Sequence, residues 1–209
     1  MNATQEIFQL ISRDIAINKC LSNNLLNSRA LAKFLIKKYS LSYSEEAVVS
    51  AIRRYNPEVD KDEVVEDVLE GAMLFLKNNI VCLTTDIADQ NKFAKILQDE
   101  ELNKNIRLVR TKKYSKIVVY EKEIDVLTSH FLDSQIVKSQ AKLVEIRLLL
   151  RKDAHDTIGL LSNITSQVAL HNIPIQEMII ALPEFLIYVK EVDALRTQEV
   201  LMNLIGKKN

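Results

Sequence analysis

Apolar positions recur every three or four residues through the first fifth of the chain and beyond, which predicts helices and no strands up to Pro57. Ile7, Leu10, Ile11 and Ile15, with Ile17 and Leu21 near the end, mark one helix from Thr4 to about Cys20. A second, capped by Asn27 or Ser28, runs to about Tyr39 with Leu31, Phe34 and Leu35 inside. After a short Ser40-Leu41-Ser42 turn, Ser42-Tyr43-Ser44-Glu45 has the capping-box pattern, in which the Ser42 hydroxyl and the Glu45 carboxylate satisfy free backbone donors. The third helix buries Val48, Ile52 and Tyr55 and stops at Asn56, because the residue before a proline avoids helical geometry. Asp60 to Leu76 predicts a fourth helix. Its first turns are acidic, as the helix dipole favours, its stripe is Val65, Leu69, Ala72, Met73 and Leu76, and Asn78-Asn79 punctuate its end.

From Ile80 onward strands alternate with helices. Ile80–Thr84 is a strand, Gln90–Glu101 a helix, Ile106–Thr111 and Lys116–Glu121 a hairpin, and Ile124–Phe131 a helix. The segment 132–140 fits either a linker or a short strand at Gln135–Lys138. Lys142–Leu150 then alternates as a half-buried strand, with Val144, Ile146, Leu148 and Leu150 on one side. Thr157–Leu170 is a helix, Ile173–Ala181 and Glu184–Lys190 form a hairpin around Leu182-Pro183, and Val192–Ile205 is the last helix.

Each series has the order βαββα, and a sequence echo supports a duplication. Residues 117–127 align without a gap on 185–195, 68 positions later, with Tyr, Lys, Glu, Asp and Leu identical in both. Ferredoxin-like domains are βαββαβ, so the second series lacks a final strand. The missing edge is expected from elsewhere in the chain, from Gln135–Lys138 or from the other copy. The predicted architecture is α+β: a helical, helix-turn-helix-like domain over 1–77, then tandem ferredoxin-like βαββα units over 78–140 and 141–209.

Composition narrows the function more by exclusion than by signal. The 209 residues carry 28 basic and 28 acidic side chains, so no whole-chain charge favours nucleic acid or membrane. Charge is nevertheless uneven: residues 1–57 are net +4, 58–76 net −6 and 77–209 net +2. Cys20 and Cys82 stand far apart, as two buried thiols of a reducing compartment. The N-terminus lacks a basic flank and an apolar core, and no stretch is long and apolar enough to span a bilayer, so a cytoplasmic protein without membrane contact is expected.

Asp153-Ala154-His155-Asp156-Thr157-Ile158-Gly159-Leu160-Leu161-Ser162-Asn163-Ile164 resembles the strand-to-helix passage of the ACT domain, a ligand-binding module of amino-acid metabolism. His171-Asn172-Ile173-Pro174-Ile175 is similar to that family's entry into its second strand. Glu177-Met178-Ile179 and Pro183-Glu184 lean toward the ACT domains of aspartate kinases. The order of a helical N-terminus and ACT-like repeats resembles archaeal predicted regulators of amino-acid metabolism. The resemblance implies a regulatory protein that binds an amino acid or similar small ligand, pairs as a homodimer and needs no cofactor.

The residues of that passage carry chemistry of their own. Gly159 lies where a helix begins, and a glycine there lets another backbone or a ligand approach closely. The first backbone N–H groups of a helix attract an anion such as a carboxylate, and Asp153 or Asp156 could accept from a ligand ammonium. The candidate ligand site is therefore Asp153, Ala154, His155, Asp156, Thr157, Ile158, Gly159 and Leu160. The competing account is that Gly159 permits tight packing and the aspartates only cap. Sixty-eight positions earlier Asn91 replaces the glycine, which predicts a degenerate first site.

Asp153-x-His155-Asp156 lacks a second cluster that would complete a metal shell, and no nucleophile, P-loop or dinucleotide motif is present, so no enzyme is predicted. Helices 28–39 and 43–55 have helix-turn-helix spacing, and Arg29, Lys33, Arg53 and Arg54 could meet phosphates. A DNA-binding regulator with the ACT-like units as effector domain is the alternative. Glu45 and Glu46 at the start of the would-be recognition helix speak against it.

Overall fold

A computed structural model of the chain describes residues 2–56, 62–86 and 90–206. The chain forms two compact units, residues 1–61 and 62–209.

The first unit is helical. The helix expected over 4–20 is two, α1 (Ala3–Arg13) and α2 (Ile15–Ser22). Asp14 separates them: its backbone is extended, and its carboxylate accepts the Ile17 N–H at 3.2 Å. That hydrogen bond, assisted by Lys38 and partly opposed by burial, holds the carboxyl below its usual range. The break turns Ile17 inward and leaves Ile15 exposed. Helix α3 (Ser28–Tyr39) begins at Asn27, whose side chain accepts from Arg29 and Ala30. Helix α4 (Glu45–Arg54) is capped by Ser44 and not by Ser42, because Ser44 immediately precedes the helix and its hydroxyl reaches the Ala47 N–H. Ile7, Ile11, Leu31, Leu35, Val48 and Ile52 form the core of this unit.

The second unit begins with α5 (Asp62–Leu69). The expected helix over 60–76 ends seven residues early (Asp60 lies outside the described residues). Gly71 at φ +79° stops it, and the run that follows is strand β1, Met73–Asp86. The remaining elements are α6 (Gln90–Gln98), α7 (Glu100–Asn103), β2 (Arg107–Arg110), β3 (Tyr114–Tyr120), α8 (Ile124–Ser129), β4 (Ile136–Leu149), α9 (Leu160–Leu170), β5 (Glu177–Ala181), β6 (Glu184–Lys190) and α10 (Ala194–Ile205). The strands make one antiparallel sheet in the order β2-β3-β1-β4-β6-β5.

The two central strands each serve both halves of this sheet. The second part of β1 pairs with β3, and its first part, Met73 to Lys77, lies beside Leu149 to Glu145 of β4. Reciprocally, the first part of β4 lies beside β1, and Leu143 to Leu149 also pair with β6. The edge missing from the second series is thus supplied by Met73–Lys77, the segment whose spacing suggested helix, while Ile136–Gln140 does the same for the first. Asn79 and Lys142, both in the left-handed region at φ 57° and 55°, stand where the register shifts.

One face of the sheet is covered by helices. Val144, Ile146, Leu148, Phe185 and Ile187 meet Leu160, Ile164 and Val168 of α9 and Leu201 of α10. Leu83, Ile117 and Val119 meet Phe93, Ile96 and Leu127. Each such buried side chain contributes about 1.5–3 kcal/mol.

The opposite face closes on itself. Lys116 of β3 ion-pairs with Glu177 of β5, four strand spacings away, a separation of about 19 Å in a flat sheet. The sheet must therefore curl. Inside the curl, Glu145 is 2% exposed and accepts from Tyr188 Oη at 2.7 Å and Arg107 at 3.2 Å, with Lys77 at 3.9 Å. Ile80, Cys82, Val118, Leu143 and Leu186 pack around this polar cluster. Burial, then the neighbouring Glu145 charge, pushes the Tyr188 phenol far above its usual value.

Strand pairing also revises the echo. Ile80 faces Tyr120 and Leu143 faces Lys190, while Cys82 faces Val118 and Glu145 faces Tyr188. The two tyrosines that match in sequence therefore occupy different places, and the equivalent positions lie two residues further on. Leu127 and Leu195, identical in the echo, show the same shift: the first is buried and the second 78% exposed, whereas Thr197 is buried. A shift of two leaves every strand residue on its original face, so alternation alone does not reveal it.

Two measurements test the buried cluster. Tyr188→Phe should lower the unfolding free energy by about 1.5–3 kcal/mol in urea with an unchanged m-value, since it removes a hydrogen bond to a buried charge. Because the phenol is raised in the folded state, that state holds the proton longer, and stability falls as pH rises past about 10. The fall should be shallower in Tyr188→Phe; equal slopes would show that Tyr188 does not control it.

Candidate ligand-binding site

The predicted ligand residues form the link between β4 and α9. Arg151 leaves the strand and donates to the Asp67 carbonyl of α5 at 3.3 Å, and Leu150 N–H donates to the Pro183 carbonyl at 2.9 Å. A 3-10 turn over Lys152–Asp156 follows. Ala154 and Leu160 are buried and pin the two ends of the link into the core, while His155, Asp156 and Gly159 are exposed and Ile158 is 74% exposed. The side chain of Asp153 lies outside those the structure describes.

Gly159 is the N-cap of α9 at φ +85° and has no side chain with which to cap it. A Cβ built on it would meet nothing within 4 Å. Among the described residues there is thus no close approach to the glycine, which answers to backbone handedness instead. One turn on, Asn163 Oδ1 is buried without a hydrogen-bond partner. Asn91, expected at the matching place in the first series, lies in α6, with its side chain outside those described.

Strand ends hold two shallow cavities that the sequence did not announce. One, about 380 Å3, is lined by Gln140, Lys142, Leu143, Gln176, Lys190 and Glu191. The other, about 420 Å3, is lined by Asn79, Tyr120, Glu121 and Lys122. Each sits at one of the left-handed residues of the central pair, so the Asn78-Asn79 dipeptide was the available signal.

In the helical unit the four basic candidates fall on neighbouring surfaces but in different states. Arg29 and Lys33 both face Glu45, at 3.5 and 4.0 Å. Arg54 donates to the Ser50 carbonyl and to Thr4 Oγ1. Arg29, Arg53 and Arg54 line one cavity of about 340 Å3 together with Glu45 and Glu46. Arg53 also lines a second cavity, of about 550 Å3.

Among the described residues no helix is long and apolar enough to cross a membrane. No family model and no curated protein matches the sequence. Solved structures do match the fold. A putative C-terminal regulatory domain of aspartate kinase from Porphyromonas gingivalis W83 is similar over 65% of this chain and 98% of that one, with TM-score 0.50 and 11% identity. The regulatory subunit of aspartate kinase from Thermus thermophilus matches over 64% and 97%, with TM-score 0.51 and 8% identity. An aspartate kinase of Clostridium acetobutylicum matches over 64% of this chain at TM-score 0.52 and 12% identity, and only 34% of that chain is covered. The curled six-stranded α+β fold is thus similar to the ACT-type regulatory domains of aspartate kinases.

Proposed function

We propose that this chain is a non-enzymatic regulator of amino-acid metabolism that binds an amino acid through its ACT-like part. Two such units stand in tandem, and the second, through residues 153–160, is the binder. The observation that carries this reading is the β4–α9 link. Its ends are anchored by Ala154 and Leu160, its middle is open to solvent, and α9 begins at a left-handed glycine, which offers no side chain of its own as a cap. Backbone donors at such a helix start suit a carboxylate, and the exposed Asp156 beside them suits an ammonium group. The regulatory domains of aspartate kinase that share the fold support the same direction. The protein acts as a homo-oligomer in this scheme: β2 and β5 end the strand order, and each carries a partly exposed apolar side chain, Val109 and Ile180.

Isothermal titration of the full chain against the twenty amino acids should find a binder, and silence from all twenty would refute the proposal. Asp156→Ala should weaken that ligand about tenfold or more while leaving the melting temperature in place. Gly159→Ala should cost about 1–2 kcal/mol of stability, because a side chain at φ +85° is strained even where space is open. Light scattering should return a multiple of the 23.9 kDa chain mass; a monomer at micromolar concentration would remove the oligomer from the scheme.

A further inference from the structure

We propose that the helical unit holds a second, separate small-molecule site: the 550 Å3 cavity formed by the ends of α2 and α4 and the start of α3, which takes a small oxyanion, carboxylate or phosphate, on Arg53. Its size falls within the range of small-ligand pockets. Leu21, Leu26, Ile52 and the Tyr55 ring supply apolar lining, and Ser22, Asn23, Asn24, Ser28 and Asn56 add polar groups beside Arg53.

The polar groups are held in place and available. Asn24 adopts φ 55°, and the backbone of the bend is tied down by Asn24 N–H to the Leu21 carbonyl and Leu25 N–H to the Cys20 carbonyl. Asn27 caps α3 with its side chain, and Asn23 ends α2 through its backbone N–H, so neither task uses the Asn23 or Asn24 side chain. Among the described residues, the side chains of Asn23, Asn24, Asn56 and Arg53 make no hydrogen bond or ion pair. An asparagine side chain offers both donor and acceptor, so the ring of amides can follow the outline of a polar molecule.

The state of the basic residues points to the charge of that molecule. Arg29 and Lys33 share the single Glu45 carboxylate, and the Arg54 guanidinium is held by Thr4 and Ser50. Among the described residues, Arg53 is the one charged side chain that lines the cavity, and it makes no ion pair. Its planar guanidinium binds a carboxylate or phosphate through two parallel hydrogen bonds, a geometry that lysine cannot supply. A small anion in a concave site therefore explains Arg53 better than a duplex backbone, which would call on Arg29, Lys33 and Arg54 together.

The test follows the arginine Nε–H and asparagine side-chain amide signals of the isotope-labelled full chain by NMR. Sodium phosphate, sodium succinate and a mixed-sequence DNA duplex are titrated at constant ionic strength. Saturable shifts at Arg53, Asn23 and Asn24 with phosphate or with succinate are expected, and the anion that saturates first names the class. Arg53→Met should weaken that binding about tenfold or more, Asn23→Leu should weaken it with Arg53 still present, and Arg54→Met should leave it unchanged. Asp156→Ala should also leave it unchanged, which separates this site from residues 153–160. Shifts spread evenly over Arg29, Arg53 and Arg54, full binding in Asn23→Leu, or a response to the duplex alone would overturn the proposal.

Discussion

The pairing of β1 with β4 is the constraint on which the sheet-bearing unit depends. Each is a fourteen-residue strand that changes role at its middle, and the change is made at Asn79 and Lys142. These residues visit a backbone region that costs a side chain about 1–2 kcal/mol, and asparagine pays least among non-glycine residues. The kinks let one strand flank β3 at one end and complete the opposite half of the sheet at the other. Without them, each half would expose an unpaired edge next to an apolar face.

Curling follows from that arrangement and creates an interior of unusual polarity. The helices cover one face only, so the other face is sealed by ions reaching across the curl, with Glu145 at the centre and Lys116–Glu177 spanning it. A buried carboxylate is tolerable because Tyr188, Arg107 and Lys77 surround it. This locks the strands that carry the β4–α9 link, so that a loop open to solvent projects from a rigid base. The helical unit works differently: its cavity is built by the ends of helices, and its chemistry lies in side chains left over after capping.

Much of this was legible in the sequence, and the failures have physical causes. Helix α3 was read closely, with Asn27 as one of two candidate caps, because Asn27 is a strong cap and Leu31 and Leu35 hold a helical spacing. The hairpin around Leu182-Pro183 was read with the bounds of β6, while β5 begins at Glu177 and not at Ile173. Residues 73–77 were misread since Ala72, Met73 and Leu76 fit a helical stripe as well as a strand, and only Gly71 marked the change. Asp14 broke a helix that apolar periodicity ran straight through. Gly159 stood out correctly as special, but composition alone does not distinguish a close approach from a left-handed turn. The cavity beside Arg53 draws on three separate helices, and no local pattern could have gathered it.

The exchange of strands between the two halves has a kinetic side. Met73 meets its partner Leu149 only after α6, α7, α8 and the whole hairpin of β2 and β3 have been made. Emerging from the ribosome, the chain must therefore carry half of β1 as an open strand through the synthesis of the intervening elements. Long-range pairings of this type raise contact order and slow folding. Neither half can finish before the other is present, so this unit should fold and turn over as a single cooperative body.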